Sequence, residues 1–154
     1  LAGANSDLLR ANIPISGKFT EGWENMTDDP LLFVYGTLRR AFDGPMALWL
    51  RGVATHLGPA TARGSLYRVE DYPAFVPNGQ GRVTGDLLAL PDPVAILAAL
   101  DVYEECSDDF PMPHEYRRER LTVLTLKGTL EAWTYIYARD VAVLPRIESG
   151  DFLL

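Results

Sequence analysis

Apolar positions along the chain fall into short runs of strand length, broken by glycine, proline and acidic residues. Leu31-Leu32-Phe33-Val34-Tyr35 is a continuous apolar run closed by Gly36, the pattern of a buried strand. A short helix is expected from about Pro45 to Arg51, followed by an ambiguous stretch, 52–63, with strand character. Residues 64–69 read as a strand that ends at Asp71 and Pro73, and Asn78-Gly79-Gln80-Gly81 is a strong turn signal. Arg82 to Leu90 reads as a strand stopped by Pro91. Asp92 is a suitable N-cap and Pro93 a suitable first helical residue, so a helix is expected to about Leu100. Residues 106–113 read as a loop. Two strand-length runs, 116–126 and 129–139, meet at Lys127-Gly128 and predict an antiparallel hairpin, because glycine takes positive φ at low cost. Leu121 and Val123 share one face of the first run; Trp133, Tyr135 and Tyr137 share one face of the second.

The sum is five or six strands and two short helices. That is too few helices to cross over between every pair of strands, so a mostly antiparallel or mixed sheet, curled into a barrel, is favoured over a doubly wound α/β fold. The expected class is α+β: a small mixed, mostly antiparallel β-barrel flanked by short helices. Residues 30–154 form its single domain. Residues 1–29 are rich in Gly, Asn, Ser and Pro and read as an N-terminal extension or an expression-derived arm. Ile13, Ile15, Phe19 and Trp23 can pin that arm to the body or to a neighbouring copy.

Composition narrows the function. The chain has 154 residues, 47% of them hydrophobic, which suits one folded domain. Its formal charge of -7 repels phosphate and argues against nucleic acid or an anionic membrane as partner. A small anionic substrate is still admissible, since a few local donors in a cleft override the global field. The single cysteine, Cys106, allows no intrachain disulfide and suits a cytoplasmic location. No apolar run approaches the roughly 20 residues that span a bilayer, and no signal-peptide pattern is visible.

Two segments carry candidate chemistry. Tyr35-Gly36-Thr37-Leu38 ends a strand in a glycine and a small hydroxyl residue, an arrangement that can present backbone N–H groups to a carboxylate or oxyanion. The plainer alternative is a tight turn after a core strand. Glu104 and Glu105 follow the second helix; from spacing alone they fit a solvated loop. Cys106 with His114 lacks a third orienting residue and any group that lowers the thiol pKa. Two histidines and one cysteine make no metal set, and Asp108-Asp109 lacks the spacing of a calcium loop. No cofactor is expected. Arg117, Arg118 and Arg120 fit a solvated strand, or else Arg118 braces an acidic pocket residue or a substrate carboxylate.

Phe33-Val34-Tyr35-Gly36-Thr37-Leu38 resembles the signature loop of the γ-glutamyl cyclotransferase superfamily, and in particular its γ-glutamylamine cyclotransferase-like, or AIG2-like, branch. The resemblance continues in order through Gly64-Ser65-Leu66-Tyr67, Tyr72-Pro73-Ala74, Val83-Thr84-Gly85-Asp86, Leu100-Asp101-Val102-Tyr103-Glu104, Tyr116-Arg117-Arg118, residues 132–137 and Ser149-Gly150-Asp151. It implies a barrel fold and a reaction in which the α-amine of a γ-glutamyl amine or peptide attacks its own γ-carbonyl, releasing 5-oxoproline and an amine. It maps the acid/base glutamate onto Glu104, with Glu105 standing where the family has a small or neutral residue. It implies Tyr35, Gly36, Thr37, Leu38 and Tyr135 as substrate-binding residues and a small γ-glutamyl molecule as partner. In an extended segment neighbouring side chains point opposite ways, so only one of the two glutamates is expected to enter the pocket. A non-enzymatic binding module on the same fold is the competing reading, because fold alone does not prove activity.

Overall fold

The computed structural model describes residues 28–154, so the arm expected at 1–29 lies, but for Asp28 and Asp29, outside the described residues. The elements run β1 (Leu31–Val34), α1 (Pro45–Val53), β2 (Thr55–Arg63), β3 (Ser65–Val69), β4 (Tyr72–Val76), β5 (Arg82–Ala89), α2 (Pro93–Tyr103), β6 (Tyr116–Thr125) and β7 (Gly128–Tyr137). Five strands close a barrel in the order β1-β5-β2-β6-β7, and β3 and β4 form a separate two-stranded sheet. The barrel is antiparallel throughout except at its closure, where β1 lies parallel to β7 with Leu32 opposite Trp133. The expected α+β barrel with short flanking helices is the fold observed.

Period-two alternation on β1 divides the core in two. Leu31, Phe33 and Tyr35 join Leu57, Leu66, Phe75, Val83, Leu87 and Val123 in a cluster that contains no helical residue, the barrel interior. Leu32 and Val34 point the other way. They pack with Leu50 of α1, with Ile96, Leu97 and Leu100 of α2, and with Tyr116, Tyr135 and Tyr137. The helices therefore cover one outer face of the barrel, and β1 is apolar because both of its faces are buried.

Five expectations need correction. Seven strands form where five or six were expected, β4 being the one not foreseen. Pro73 does not end a strand but sits inside β4, paired with Arg68. Its missing N–H is tolerated because β4 is the edge of a two-stranded ribbon. Asp92 occupies the N-cap of α2 without a side-chain cap bond; only its carbonyl engages, accepting from Ile96 N–H at 3.0 Å. The helix runs to Tyr103, beyond Leu100. The hairpin turn is Leu126-Lys127, and Gly128, at φ 91°, is the first residue of β7. There the Thr125 hydroxyl donates to the Gly128 carbonyl at 2.9 Å and accepts from Lys127 N–H at 3.0 Å.

The chain leaving β1 is clamped by Arg39, which is buried. Its Nη1 donates to Asp151 Oδ1 at 2.8 Å and its Nε lies 3.7 Å from Asp86 Oδ1. Asp86 also accepts from Arg40 N–H at 2.8 Å and lies 3.6 Å from His56 Nε2. Burial opposes its ionisation, but His56, the Arg40 N–H and Arg39 outweigh it and hold the Asp86 carboxyl below its ordinary range. One guanidinium thus ties the β1 loop to β5 and to the C-terminal tail. Gly150, at φ 70°, lets the tail lie against β5: a Cβ there would stand 2.0 Å from the Arg82 carbonyl oxygen, and Thr84 N–H donates to the Gly150 carbonyl at 2.8 Å.

Arg39→Met leaves two nearly buried carboxylates without their cation. It is expected to cost about 3–5 kcal/mol, read as the loss of unfolding free energy in urea at pH 7. A loss below about 1 kcal/mol would show that the clamp is incidental.

Candidate functional site

A cavity of about 400 Å³ opens at one rim of the barrel. Its walls come from the chain after β1 (Tyr35, Gly36, Thr37, Leu38), the start of β4 (Tyr72, Pro73), the end of α2 (Tyr103, Glu104, Glu105) and the start of β6 (Glu115, Tyr116), with Tyr135 from β7. All six residues named from the sequence as site candidates line this one cavity.

The loop is shaped by a tight turn in which Arg39 N–H donates to the Gly36 carbonyl at 3.1 Å. Among the described residues, the N–H groups of Gly36, Thr37 and Leu38 donate to no backbone or side-chain acceptor of the protein. Gly36 is required for a reason the sequence did not reveal: a Cβ there would come within 2.7 Å of Pro73 Cγ. The close neighbour is the β4 proline that forms the opposite wall.

Glu104 is placed by the way α2 ends. Glu104 is its C-cap, Glu105 takes the left-handed conformation at φ 54°, and Cys106 follows. Glu105 N–H donates to the Val102 carbonyl at 3.0 Å and Cys106 N–H to the Asp101 carbonyl at 2.9 Å. These two bonds are the Schellman pair that closes a helix C-terminus. The glutamates therefore sit on a helix end and not, as expected, on an extended segment. Glu104 is half-buried and Glu105 is exposed, although both reach the cavity wall. Left-handed backbone is normally glycine territory, so the glutamate at 105 hid this stop signal from sequence reading.

The last turn of α2 is pinned to the barrel by Asp101. Arg118 on β6 reaches it with two bonds, Nε to Oδ1 at 2.9 Å and Nη2 to Oδ2 at 3.2 Å. Tyr135 on β7 donates its hydroxyl to the same Oδ1 at 2.7 Å. Arg118 also lies over the Trp133 ring, 4.5 Å from its centre. Arg118 thus braces an acidic residue beside the pocket, as one sequence reading allowed. Tyr35 donates its hydroxyl to the Tyr135 carbonyl at 2.5 Å, so both tyrosine hydroxyls are engaged within the protein.

The Glu104 carboxylate, by contrast, makes no hydrogen bond and no ion pair among the described residues. Burial first, and the charge of Glu115 second, push its carboxyl up to about 7. Glu115 accepts from the Tyr72 hydroxyl at 2.6 Å, and Tyr116 donates to the Pro73 carbonyl at 2.8 Å. Sequence reading missed Glu115, Tyr72 and Tyr103 as cavity residues. Burial, then Asp101 and Glu104, push the Cys106 thiol up to about 11, which leaves almost no thiolate near neutral pH. His114 Nε2 lies 3.2 Å from the Phe110 carbonyl. Among the described residues no group of three or more His, Cys, Asp or Glu side chains is arranged to hold a metal ion, and no helix is long and apolar enough to cross a membrane.

These features define a small α+β barrel whose rim cavity joins a strand-end loop to one carboxylate without a partner among the described residues. Residues 32–154 match the family described as gamma-glutamyl cyclotransferase, AIG2-like, and the chain belongs to that family. It is 35% identical over 123 residues to the gamma-glutamylcyclotransferase family protein YtfP of Escherichia coli K12, which covers 79% of this chain and 95% of that protein. The solution structure of E. coli ytfP superposes with a TM-score of 0.57 at 34% identity, covering 80% of this chain and 96% of that one. YkqA from Bacillus subtilis gives a TM-score of 0.61 at 25% identity over 80% of this chain, which spans only 39% of YkqA. A mouse AIG2-like protein shares the fold, with a TM-score of 0.58 at 22% identity over 79% of this chain and 88% of that one.

Two stability predictions follow from the helix end. Glu105→Gly relieves a side chain held at positive φ and should raise stability by about 1 kcal/mol, measured by urea unfolding; a loss would mean that the glutamate contributes something its exposure hides. The raised Glu104 pKa has the opposite character. In the folded state the group binds its proton more tightly than when unfolded, so its contribution is fully present below about pH 4.5 and is lost as pH rises through about 7. Glu104→Gln should therefore stabilise the protein at pH 8, by up to about 3 kcal/mol, and by much less at pH 5. An equal effect at both pH values would contradict the raised pKa.

Proposed function

We propose that this protein is a cyclotransferase that converts a γ-glutamyl amine or γ-glutamyl peptide to 5-oxoproline and a free amine. The observation that carries this reading is the half-buried Glu104 carboxylate, without a partner among the described residues and with its carboxyl pushed up to about 7, in one cavity with the unengaged N–H groups of Gly36, Thr37 and Leu38. Membership of the γ-glutamyl cyclotransferase family supports it.

The chemistry needs little from the protein, because nucleophile and electrophile belong to the same molecule. The α-amine arrives mostly as ammonium. Glu104 takes its proton, and the freed nitrogen attacks the γ-carbonyl carbon to close a five-membered ring. The N–H groups of the loop stabilise the oxyanion of the tetrahedral intermediate. Glu104 then hands that proton to the departing nitrogen and the original amide bond breaks; the same carboxylate takes the second excess proton from the ring nitrogen and passes it to the freed amine, which leaves as an ammonium, so the carboxylate is regenerated without water entering the balance. A carboxyl near 7 suits both transfers at neutral pH, being neither too weak a base nor too weak an acid. Holding the γ-glutamyl chain curled can contribute on the order of the 7–11 kcal/mol of well-oriented intramolecular reactions. In this scheme Tyr35 and Tyr135 shape the wall beside the substrate, since their hydroxyls are already committed.

Glu104→Gln should retain its fold by circular dichroism and lose roughly 10²–10⁴-fold in turnover, measured as 5-oxoproline release from a panel of γ-glutamyl amines and dipeptides. Glu105→Gln should change turnover little, because an exposed carboxylate contributes little. The base must be ionised, so wild-type kcat should fall on the acid side through an apparent pKa near 7, and that limb should vanish in Glu104→Gln. Full activity in Glu104→Gln would remove the mechanism; equal loss in both variants would leave the base unassigned to either glutamate.

A further inference from the structure

A second groove adjoins the cavity and plays no part in the mechanism above. It is lined by Phe42, Pro45, Met46 and Ala47 together with Thr37 and Tyr103, and the last two also line the first cavity. The two spaces therefore meet at the rim between the loop that carries Thr37 and the helix end that carries Glu104. Among the described residues no charged side chain lines the groove.

Its walls are held in place. Arg51 on α1 donates through Nη2 to the Arg40 carbonyl at 2.9 Å and to the Phe42 carbonyl at 2.5 Å. Phe42 N–H donates to the Arg39 carbonyl at 3.0 Å, and the Phe42 ring stacks on Phe152 with centres 6.0 Å apart. Met46 packs on the core beneath the helices. A ligand entering the groove meets a largely pre-formed surface and has little chain to order.

We infer that this groove receives the amine portion of the substrate, and that the amines released are apolar, carrying an alkyl or aryl group in place of a charged one. The inference rests on the cyclotransferase reading, which puts a γ-glutamyl head in the first cavity with its scissile amide at Glu104. Whatever lies beyond that amide leaves over Thr37 and Tyr103, where the two spaces join. A carboxylate or ammonium there would lose water without meeting a counter-charge, whereas an alkyl or aryl group gains by covering Phe42, Pro45 and Met46.

Affinity tests this independently of turnover. Glu104→Gln protein is titrated calorimetrically with γ-glutamylbenzylamide and with γ-glutamylglycine. The benzylamide should bind about tenfold or more tightly, the scale of discrimination by an apolar pocket. Adding Met46→Asp should bring the ratio of the two affinities close to one, and Met46→Leu should restore it. Equal or weaker binding of the benzylamide, an unchanged ratio in Met46→Asp, or no binding of either compound overturns the assignment. Absence of 5-oxoproline from wild-type protein would sink the cyclotransferase reading alone, since the affinity ratio is measured without reaction.

Discussion

The closure of the barrel on β1 is the constraint from which the rest of the architecture follows. This four-residue strand pairs on one side antiparallel with β5 and on the other parallel with β7. It is buried on both faces, so its apolar residues serve the barrel interior and the layer beneath the helices at once. The strand that follows in sequence, β2, is not a neighbour of β1, since β5 lies between them. The chain beyond Val34 therefore leaves over the rim, and Tyr35 to Leu38 become the lip of the cavity. Arg39 then fixes that lip by binding Asp86 on β5 and Asp151 in the tail. Because the tail is held to β5 through Thr84 and Gly150, the loop is braced from the two sides its own short turn cannot reach.

The second half of the site depends on a different device. A helix end leaves carbonyls without partners, and α2 satisfies two of them with the N–H groups of Glu105 and Cys106. That geometry fixes the direction of the C-cap residue, Glu104. Asp101 lies three positions earlier, on the same side of the helix, and is tied down by Arg118 and Tyr135. The neighbouring acid therefore has its charge matched, while Glu104 has no such partner among the described residues. The contrast separates a carboxylate that holds the helix in place from one left free to exchange a proton.

Much of this was legible in the sequence. The run Leu31 to Tyr35 and the alternation of Trp133, Tyr135 and Tyr137 report burial, which is the property hydropathy measures, and both fell where the pattern put them. What was hidden depends on contacts between distant segments or on residues that break a local rule. Pro73 looked like a strand terminator because its tolerance comes from lying on the edge of a two-stranded ribbon. The end of α2 was read three residues early because Glu105 occupies a position where glycine would have announced the stop. Glu115 and Tyr72 lie 43 residues apart, and only folding brings them to the same wall. Gly36 was legible as a residue that something approaches closely, but not that the something is Pro73.

The arrangement also explains why one carboxylate can be left exposed to so unfavourable an environment. Ionised Glu104 is disfavoured by burial and by the like charge of Glu115, and among the described residues no hydrogen bond offsets either. In a reaction that required a permanent anion this would be a defect. In the proposed reaction the group must carry a proton for half the cycle and lack it for the other half, so the useful condition is near equality of the two forms. Glu115 raises the Glu104 carboxyl through its charge, while its own carboxylate accepts the Tyr72 hydroxyl. Supplying that hydrogen bond to Glu104 instead would favour the anion and lower its pKa, weakening it as a proton donor to the leaving nitrogen. The same logic accounts for the tyrosines around the cavity. Tyr35 and Tyr135 turn their hydroxyls to a carbonyl and to Asp101, and so contribute apolar wall to the space around Glu104 while their polar ends are satisfied elsewhere.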